Sequence, residues 1–270
     1  MSMASRRHLH LDWRTMAQWM PHPDLRGLVS RQNSLIKAFM GATLHHPSPH
    51  GSDQTQVAWL RFAMPANPFG VDRQLDMLWE ALLSQLQADG VQRVAFLTSD
   101  RWAEAIARRW GFDRLTQIVT LVRVASDLPA APPTPFSTID VRRRDIEQIS
   151  AVDATAFEAL WQYSAETLDV AAREAATFTA ISDGERFLGY QLSTRYINSA
   201  HLARLAVRPD QQGRGLGKVL VAQMLNFFAQ RGIDEVTVNT QADNERSLRL
   251  YKKMGFNQKG RGVPVYILTL

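Results

Sequence analysis

The chain has 270 residues, of which 45% are hydrophobic and none is cysteine, and its formal net charge is +5. This length allows two domains of ordinary size, and the lack of cysteine excludes disulfides, a thiolate zinc site and a cysteine nucleophile. Charges interrupt every apolar run, so we expect no membrane span, and no apolar segment follows Arg6 and Arg7, so we expect no secretory signal. The basic residues form no stripe with aromatic residues, which argues against a nucleic-acid partner. We therefore expect a cytoplasmic protein.

The first half of the chain predicts an alternation of strands and helices. Residues 58–64 are a short run of β-type residues, and apolar residues recur at the helical period from Leu75 to Leu86. A second strand is predicted at 93–97, and a second helix ends at the Gly111-Phe112 pair. The order is therefore strand, helix, strand, helix.

A proline-rich segment separates the two halves. Four prolines occur in the ten residues from Ser126 to Pro135, and such a segment is extended and semi-rigid. We therefore predict a first domain over residues 1–125, a linker over 126–137 and a second domain over 138–270.

The second half predicts the order β-α-α-β-β-β-α-β-α-β-β, from hydrophobic period and from turn and cap residues. The expected elements are a strand at 139–142, a helix over 145–160, a helix over 167–173 behind the N-cap Ser164, a hairpin of 178–181 with 188–194, a strand over 200–207, a helix over 216–231, a strand over 235–240, a helix that ends at Gly255 and closing strands within 263–270.

A glycine-rich turn follows the predicted strand 200–207. Gly213 and Gly215 permit unusual φ angles and a close approach of a ligand to the backbone, and Gly217 leaves the first helical turn without a side chain. Backbone N–H groups and the positive end of the helix dipole meet at such a turn, and Arg214 and Lys218 add charge, which predicts a pyrophosphate site. The glycine spacing fits neither a P-loop nor a dinucleotide-binding turn.

The pattern Gln212-x-x-Gly215-x-Gly217 resembles the acyl-coenzyme A loop of the GNAT superfamily of N-acetyltransferases. Asn244, Leu250-Tyr251 and Gly255-Phe256 follow at the spacing that is common in that family. The resemblance covers residues 138–270. It implies an α/β (α+β) fold in which two neighbouring parallel strands splay apart to admit acetyl-coenzyme A.

The two halves look alike, which favours two tandem GNAT-like domains, each with a mixed, splayed central sheet flanked by helices. Counted from the Gly-Phe pairs, Ala107 of the first half aligns with Tyr251. Counted from the strands, Asp72 aligns with Gly215, and its carboxylate would repel a pyrophosphate. We therefore expect a degenerate first copy that has no cofactor site.

The resemblance also assigns roles to residues of the second half. Tyr251 is the expected general acid toward the leaving sulfur, with packing of its ring on the sheet as the alternative. The backbone N–H of Val207 polarises the acyl carbonyl, and Asn244 caps the last helix, bonds to the cofactor or does both. The expected residues for acetyl-coenzyme A, the co-substrate, are Leu205, Ala206, Val207, Gln212, Gly213, Arg214, Gly215, Leu216, Gly217, Lys218, Asn244 and Tyr251.

The sequence leaves the general base open. His201 is the only histidine of the second half, and its neutral imidazole could accept a proton or be an exposed residue at the start of a strand. Glu158 and Glu166 lie where family members build the acceptor site, and each could bind or deprotonate an amine or be a solvated helix charge. Water could also relay the proton. We weigh His201 and Glu158 as catalytic candidates.

No metal is expected. His45, His46 and His50 form a cluster, but no carboxylate is placed to complete a metal site, and Pro47 and Pro49 stiffen the loop.

The predicted function is the transfer of an acetyl group from acetyl-coenzyme A to a primary amine, either a small amine or a peptide N-terminus. Because no cysteine is present, direct attack in a ternary complex is the simplest mechanism. The two repeats could act as a pseudo-dimer, which favours a monomer. The alternative is a coenzyme A-binding sensor or interaction protein without turnover, against which the intact glycine turn and Tyr251 argue.

Overall fold

The computed structural model describes residues 8–10, 12–66, 72–124 and 127–270, and the chain divides into two compact units. The first unit takes its described residues from Met1–Pro47, Thr55–Thr116 and Val263–Leu270, and the second takes its residues from Ser48–Gln54 and Gln117–Gly262. The chain thus leaves the first unit at Thr116, ahead of the predicted linker. The domain boundaries drawn from the sequence stay a prediction.

The described part of the first unit contains three consecutive strands followed by helices and strands in alternation. Asn33 and Ser34, with φ angles of +47° and +66°, close the hairpin between the second and third strands of the unit. In chain order the elements are β1 (His8–Leu9), α1 (Met16–Trp19), β2 (Leu25–Gln32), β3 (Leu35–His45), β4 (Val57–Pro65), α2 (Asp72–Ala88), β5 (Arg93–Leu97), α3 (Arg101–Arg109) and the C-terminal part of β12 (Asn257–Thr269).

The strands of the first unit lie in the order β2-β3-β4-β5-β12. β3 pairs with β4 along its length, from His45 opposite Val57 to Ala38 opposite Pro65. β5 is parallel to β4 and pairs with it over Val57–Trp59 before the two strands part. Fully buried leucines at the helical period join α2 to the core of this unit.

The second unit begins inside β6 and ends inside β12. Its elements are β6 (Asp113–Val124, from residue 117), β7 (Ser137–Asp140), the 3-10 turn η1 (Arg143–Asp145), α4 (Ile146–Ala156), η2 (Ala159–Trp161), α5 (Ala165–Glu174), β8 (Thr177–Ser182), β9 (Phe187–Arg195), β10 (Ser199–Val207), η3 (Pro209–Gln211), α6 (Leu216–Ala229), β11 (Glu235–Gln241), α7 (Glu245–Lys253) and the N-terminal part of β12.

The strands of the second unit lie in the order β6-β11-β10-β9-β8-β7. β10 and β11 are parallel, and their pairing ends at Leu202 opposite Val238. β10 continues as far as Val207 while paired with β9, with a bulge at Ala203. The mixed, splayed sheet flanked by helices that the sequence predicted is therefore confirmed.

The last strand of each repeat pairs in the other unit. β6 follows α3 in the chain, yet Ile118–Val124 is antiparallel to β11 in the second unit. β12 follows α7, yet Val265–Thr269 is antiparallel to β5 in the first unit. The sequence analysis predicted neither β6 nor this exchange.

Three predicted boundaries were wrong. The helix expected over 145–160 ends at Ala156, because Phe157 is extended and Gln162 Nε2 donates to the Ala154 and Phe157 carbonyls at 3.2 and 3.0 Å. The first strand of the second half lies at Ser137–Asp140 rather than 139–142. The closing strands are one strand, β12.

Two further points concern the described residues. Among them, no helix combines the length and apolarity that crossing a membrane requires. The side chain of Asp72 lies outside the described part of the chain, so its expected effect on a pyrophosphate stays a prediction.

Candidate functional site

The opening between β10 and β11 presents backbone groups of β10. β11 leaves β10 after Leu202, whereas β9 stays paired with β10 to its end. The Arg208 N–H donates to the Leu188 carbonyl of β9 at 2.9 Å, and successive N–H groups of a strand point to opposite edges. The N–H groups of Val207 and Leu205 therefore point into the opening.

The glycine-rich turn leads from β10 into α6. Gly213 and Gly215 have φ angles of +85° and +83°, which disfavour a side chain, so the predicted conformation is confirmed. A Cβ on Gly217 would lie 3.2 Å from Leu250 Cδ2. The Lys218 and Val219 N–H groups in the first turn of α6 donate to the Gly215 carbonyl at 2.9 and 3.1 Å, so the open N–H donors of this helix end are those of Leu216 and Gly217. The turn thus brings N–H donors and the positive end of the helix dipole together.

Polar side chains fix the shape of this turn. Gln212 Nε2 donates to the Val207 carbonyl at 2.9 Å, which ties the turn to the end of β10. The guanidinium of Arg214 lies 4.8 Å from the ring centroid of Phe136, a residue of the predicted linker. Lys218 extends from the first turn of α6.

A cleft of about 570 Å³ follows the opening and the turn. The predicted cofactor-binding residues that line it are Leu205, Ala206, Val207, Gln212, Gly213, Gly215, Leu216, Gly217, Lys218 and Asn244. Three basic residues that the sequence analysis missed, Arg246, Arg249 and Lys253, also line the cleft. Their i, i+3, i+7 spacing on α7 places them on one helix face, and this spacing could have predicted a basic face of the helix from the sequence.

Asn244 is the N-cap of α7. Its Oδ1 accepts a hydrogen bond from the Ser247 N–H at 3.1 Å. The predicted capping role is therefore present, and the residue also lines the cleft. Its contact with a cofactor stays a prediction.

Tyr251 lies in the core of the second unit, with its ring centroid 5.7 Å from that of Phe256 and with 4% of its surface exposed. Burial raises the pKa of its hydroxyl above the usual 10.0, and the charge of Arg204 partly opposes that rise. The phenol is therefore protonated at neutral pH and has a proton to donate. The ring of Tyr251 packs in the core, as the alternative interpretation proposed, and its role as a general acid stays a prediction.

His201 lies on the paired part of β10, opposite Thr237 of β11. The Thr237 hydroxyl donates to the Ala200 carbonyl at 3.3 Å and lies 2.8 Å from His201 Nδ1. Nδ1 is therefore the ring nitrogen that contacts Thr237, and Nε2 takes no part in that contact. Burial lowers the pKa of His201, so the ring is neutral near pH 7.

The loop between α4 and α5 carries Glu158, which is exposed, and Glu166 is exposed in the first turn of α5. Ala156 and Phe157 at the start of this loop line the cleft. The structure therefore places the loop, rather than the Glu158 carboxylate itself, beside the cleft.

A buried ion pair that the sequence analysis missed joins α4 to β10. Arg204 Nε and Nη2 each donate to a carboxylate oxygen of Asp153 at 2.7 Å, and the Tyr190 hydroxyl donates to the same carboxylate. Asp153 is fully buried. Burial alone would lower the pKa of Arg204, but the charge of Asp153 reverses this and raises it. One feature of the sequence could have predicted this ion pair: Asp153 is a charged residue four positions after Ile149, on the apolar face of the helix.

Arg204 also holds the loop between α4 and α5. Its Nη2 donates to the Trp161 carbonyl at 2.6 Å. Its guanidinium lies 3.6 Å from the ring centroid of Phe157 and 4.0 Å from that of Tyr163. The residue that follows the bulge of β10 therefore fixes the loop that borders the cleft.

A segment from the first half of the sequence, Ser48–Gln54, belongs to the second unit and braces this loop. Ser48 N–H donates to Gln162 Oε1 at 3.1 Å, and Asp53 Oδ2 accepts from the Ala159 N–H at 2.9 Å. A Cβ on Gly51 would lie 2.7 Å from Gln162 Nε2. The segment thus packs closely against the loop, and a side chain at residue 51 would displace the Gln162 amide.

Comparisons with known proteins agree with this geometry. Residues 144–256 match the model of the acetyltransferase (GNAT) family. The mycothiol acetyltransferase of Actinosynnema mirum is 29% identical over 169 residues, which are 58% of this chain and 57% of that protein. The ribosomal protein bS18-alanine N-acetyltransferase of Escherichia coli K12 is 30% identical over 90 residues, or 29% of this chain and 61% of that protein.

The likeness extends to the fold of both units. A solved tandem GNAT protein from the clavulanic acid biosynthesis pathway has a TM-score of 0.61 at 15% identity, over 92% of this chain and 84% of that one. The chain spans 57% and 61% of the length of the two curated relatives. The region 144–256, which matches the model of the acetyltransferase (GNAT) family, contains the splayed strands, the glycine turn and Tyr251.

Proposed function

We propose that the chain is an acetyl-coenzyme A-dependent N-acetyltransferase whose site is the opening between β10 and β11. One observation carries this proposal: the parallel strands part after Leu202, and β10 then leads into a turn with left-handed glycines at Gly213 and Gly215. The edge of β10 offers the N–H groups of Leu205 and Val207, and the glycine turn and the first residues of α6 lie beyond them along the same cleft. A long ligand with amide groups at one end and phosphates at the other matches this arrangement.

The cleft fits the two chemical parts of acetyl-coenzyme A. The turn around Gly213 and Gly215 offers N–H groups and a helix dipole to a pyrophosphate. Lys218, Arg246 and Lys253 supply positive charge along the same cleft. The edge of β10 at Leu205 and Val207 can pair with the amides of the pantetheine as a strand would.

The reaction is direct transfer between the two substrates. The amine nitrogen forms a bond to the acetyl carbonyl carbon, the bond from that carbon to sulfur breaks, and the amine loses a proton. The Val207 N–H donates to the carbonyl oxygen as negative charge develops there. Tyr251, whose raised pKa keeps it protonated, gives its proton to the leaving sulfur.

The proton of the amine leaves through water. His201 is neutral with Nε2 free of the Thr237 contact, but it lies four residues from Leu205 along the strand, or about 13 Å. Glu158 is exposed on the loop that follows α4. Either group therefore acts as an acceptor at the end of a water relay rather than on the amine itself.

The acceptor binds against the loop between α4 and α5. Phe157 of this loop lines the cleft. Arg204, which is paired with Asp153 of α4, holds the loop through the Trp161 carbonyl, and Gln162 links the loop to the Ser48–Gln54 segment. A first-half segment thus holds the acceptor wall in place. The acceptor is a primary amine, either small or at a peptide N-terminus, consistent with the two named relatives.

A coenzyme A-binding sensor without turnover is the second candidate. The burial of Tyr251 in the core favours it, because a residue that only packs would bring no acid to the sulfur.

An assay of thiol release tests the proposal. The purified chain is incubated with acetyl-coenzyme A and a panel of amino sugars, amino acids and alanine-initiated peptides. We expect release with at least one amine and none with Gly215→Glu. The matched control is Gly232→Glu, which places the same side chain at φ +71° with no neighbour within 4 Å. Binding of acetyl-coenzyme A without release from any amine would support the sensor.

A further inference from the structure

The opening between β4 and β5 of the first unit is filled by a strand of the same chain. β5 pairs with β4 at Val57–Trp59 and then leaves it. β1 pairs with β4 beyond that point, with His8 opposite Ala63 and Leu9 opposite Phe62. The His10 N–H also donates to the Arg61 carbonyl at 2.9 Å. Because β3 holds the other edge of β4 throughout, β1 lies on the edge that β5 has vacated.

This edge of β4 corresponds to the edge of β10 that forms the proposed cofactor cleft. Each strand has four residues before its bulge, which falls at Arg61 in β4 and at Ala203 in β10. Ala63 therefore corresponds to Leu205, two residues after the bulge. The edge that β10 presents to a ligand is the edge that β4 presents to β1.

The last residue of β4 lacks the donor that the last residue of β10 has. Pro65 ends β4 four residues after its bulge, and Val207 ends β10 four residues after its own. Proline has no N–H. The first unit therefore has no backbone donor where Val207 points its N–H into the opening.

Side chains fix β1 in place. His8 is 4% exposed, and its ring meets that of Phe96 on β5 edge to face, with centroids 4.5 Å apart. Beyond the strand, Asp12 forms an ion pair with Arg61 at 3.0 Å and accepts a hydrogen bond from Trp19 Nε1 at 3.0 Å. β1 is therefore held by the contact of His8 with Phe96 and by the contacts of Asp12, which follows the strand in the chain.

We propose that the β4–β5 opening is a strand-binding site that stands where the second unit has its cofactor cleft, and that residues 8–10 are its permanent occupant. Its ligand is an extended polypeptide, recognised by main-chain pairing and by a ring beside Phe96. The first unit is consequently closed to acetyl-coenzyme A by the chain itself. This inference does not depend on the activity of the second unit.

A disulfide scan of the full chain tests the occupant. The natural chain has no cysteine, so in the double variant His8→Cys with Ala63→Cys an intramolecular disulfide can form only between the two introduced cysteines. Residues directly opposite in a strand pair lie about 5 Å apart at Cβ, so we expect oxidation to cross-link most of the protein. The control pair, His8→Cys with Met64→Cys, is one residue out of register and points to the opposite face. Equal cross-linking of both pairs, or of neither, would overturn the proposal.

Hydrogen exchange provides a second test that needs no oxidation. His10→Pro removes the N–H that bonds to Arg61, whereas His10→Ala removes the ring and keeps that N–H. We expect exchange in residues 8–10 and 61–64 to become about tenfold faster in His10→Pro, with a much smaller change in His10→Ala. Unchanged exchange in His10→Pro, with wild-type exchange elsewhere, would show that the opening is not held by this strand.

Discussion

The β10–β11 opening and the β4–β5 opening share one strand arrangement and differ in what occupies the vacated edge. In the second unit, Leu205 and Val207 direct N–H groups toward a cleft of about 570 Å³. In the first unit, β1 covers the corresponding edge, and Pro65 has no N–H to offer. A splayed parallel pair therefore does not by itself make a cofactor site, because its exposed edge can equally bind a strand of the same chain.

An arginine at or beside the bulge anchors a different element in each unit. Arg61 pairs with Asp12 and so fixes the segment that follows β1. Arg204 pairs with Asp153 and so fixes α4 and the loop beside the cleft. Arg61 at one bulge and Arg204 directly after the other thus stabilise different elements: the segment that closes the first opening and the loop that borders the second.

The largest expected effect is on ligand binding in the second unit. Gly215→Glu places a carboxylate at the turn and strains a residue with φ +83°, and like charges in contact cost several kcal/mol, so acetyl-coenzyme A affinity should fall by at least about 10³-fold. Calorimetric titration measures this. The control Gly232→Glu carries similar backbone strain, with φ +71°, and should bind as wild type. Equal loss in both variants would remove the turn from the site.

Loss of the Asp153 carboxylate should produce the largest change in stability. Asp153→Ala leaves the Arg204 charge buried without its partner, so the free energy of unfolding should fall by about 3–5 kcal/mol. Asp12→Ala is the matched variant of the first unit, and because Asp12 is partly exposed its loss should be smaller. Urea denaturation compares the two. A greater loss of unfolding free energy in Asp12→Ala than in Asp153→Ala would contradict the conclusion that the Arg204–Asp153 ion pair stabilises the protein more than the Arg61–Asp12 pair.

Tyr251→Phe tests the chemical difference between the repeats, since the first half has Ala107 at the aligned position. Removing the acid should lower kcat by about 10²-fold and leave the KM for acetyl-coenzyme A nearly unchanged. Steady-state kinetics separates the two constants. Tyr190→Phe, which removes another buried hydroxyl of the second unit, should not reproduce this split. A parallel change in both constants for Tyr251→Phe would assign the residue to packing.

The smallest effect concerns the pH dependence of the filled opening. Burial lowers the pKa of His8 to about 4 from 6.5, so the unfolded chain binds the proton first and stability falls as the pH drops from 6.5 toward 4. His8→Phe keeps a ring beside Phe96 and removes this proton. The slope of unfolding free energy against pH should therefore decrease by up to about 1.4 kcal/mol per pH unit. Equal slopes in urea denaturation of variant and wild type would contradict the burial of His8.

Local signals predicted much of the second unit. The turn from β10 into α6 was predictable because glycine spacing determines where left-handed residues occur, and Gly213 and Gly215 both have positive φ. The N-cap roles of Ser164 and Asn244 followed from residue type and position. Ten of the residues expected to bind the cofactor line one cleft because they are nearly continuous in the chain.

The remaining features depend on partners that are distant in the chain. Arg204 and Asp153 are 51 residues apart, and Ser48 and Gln162 are 114 apart. Neither pair has a local pattern that specifies its partner. The pairing of β1 with β4 and the exchange of β6 and β12 likewise depend on which strand edge is free, which a single sequence does not encode locally.

Calorimetric titration of the full chain with acetyl-coenzyme A tests the central claim most directly, because it counts open clefts. The account predicts one binding site per chain, lost in Gly215→Glu and retained in Gly232→Glu. Two equivalent sites would show that the first unit is open to the cofactor despite β1, and the absence of any binding would show that the β10–β11 opening is not a coenzyme A cleft.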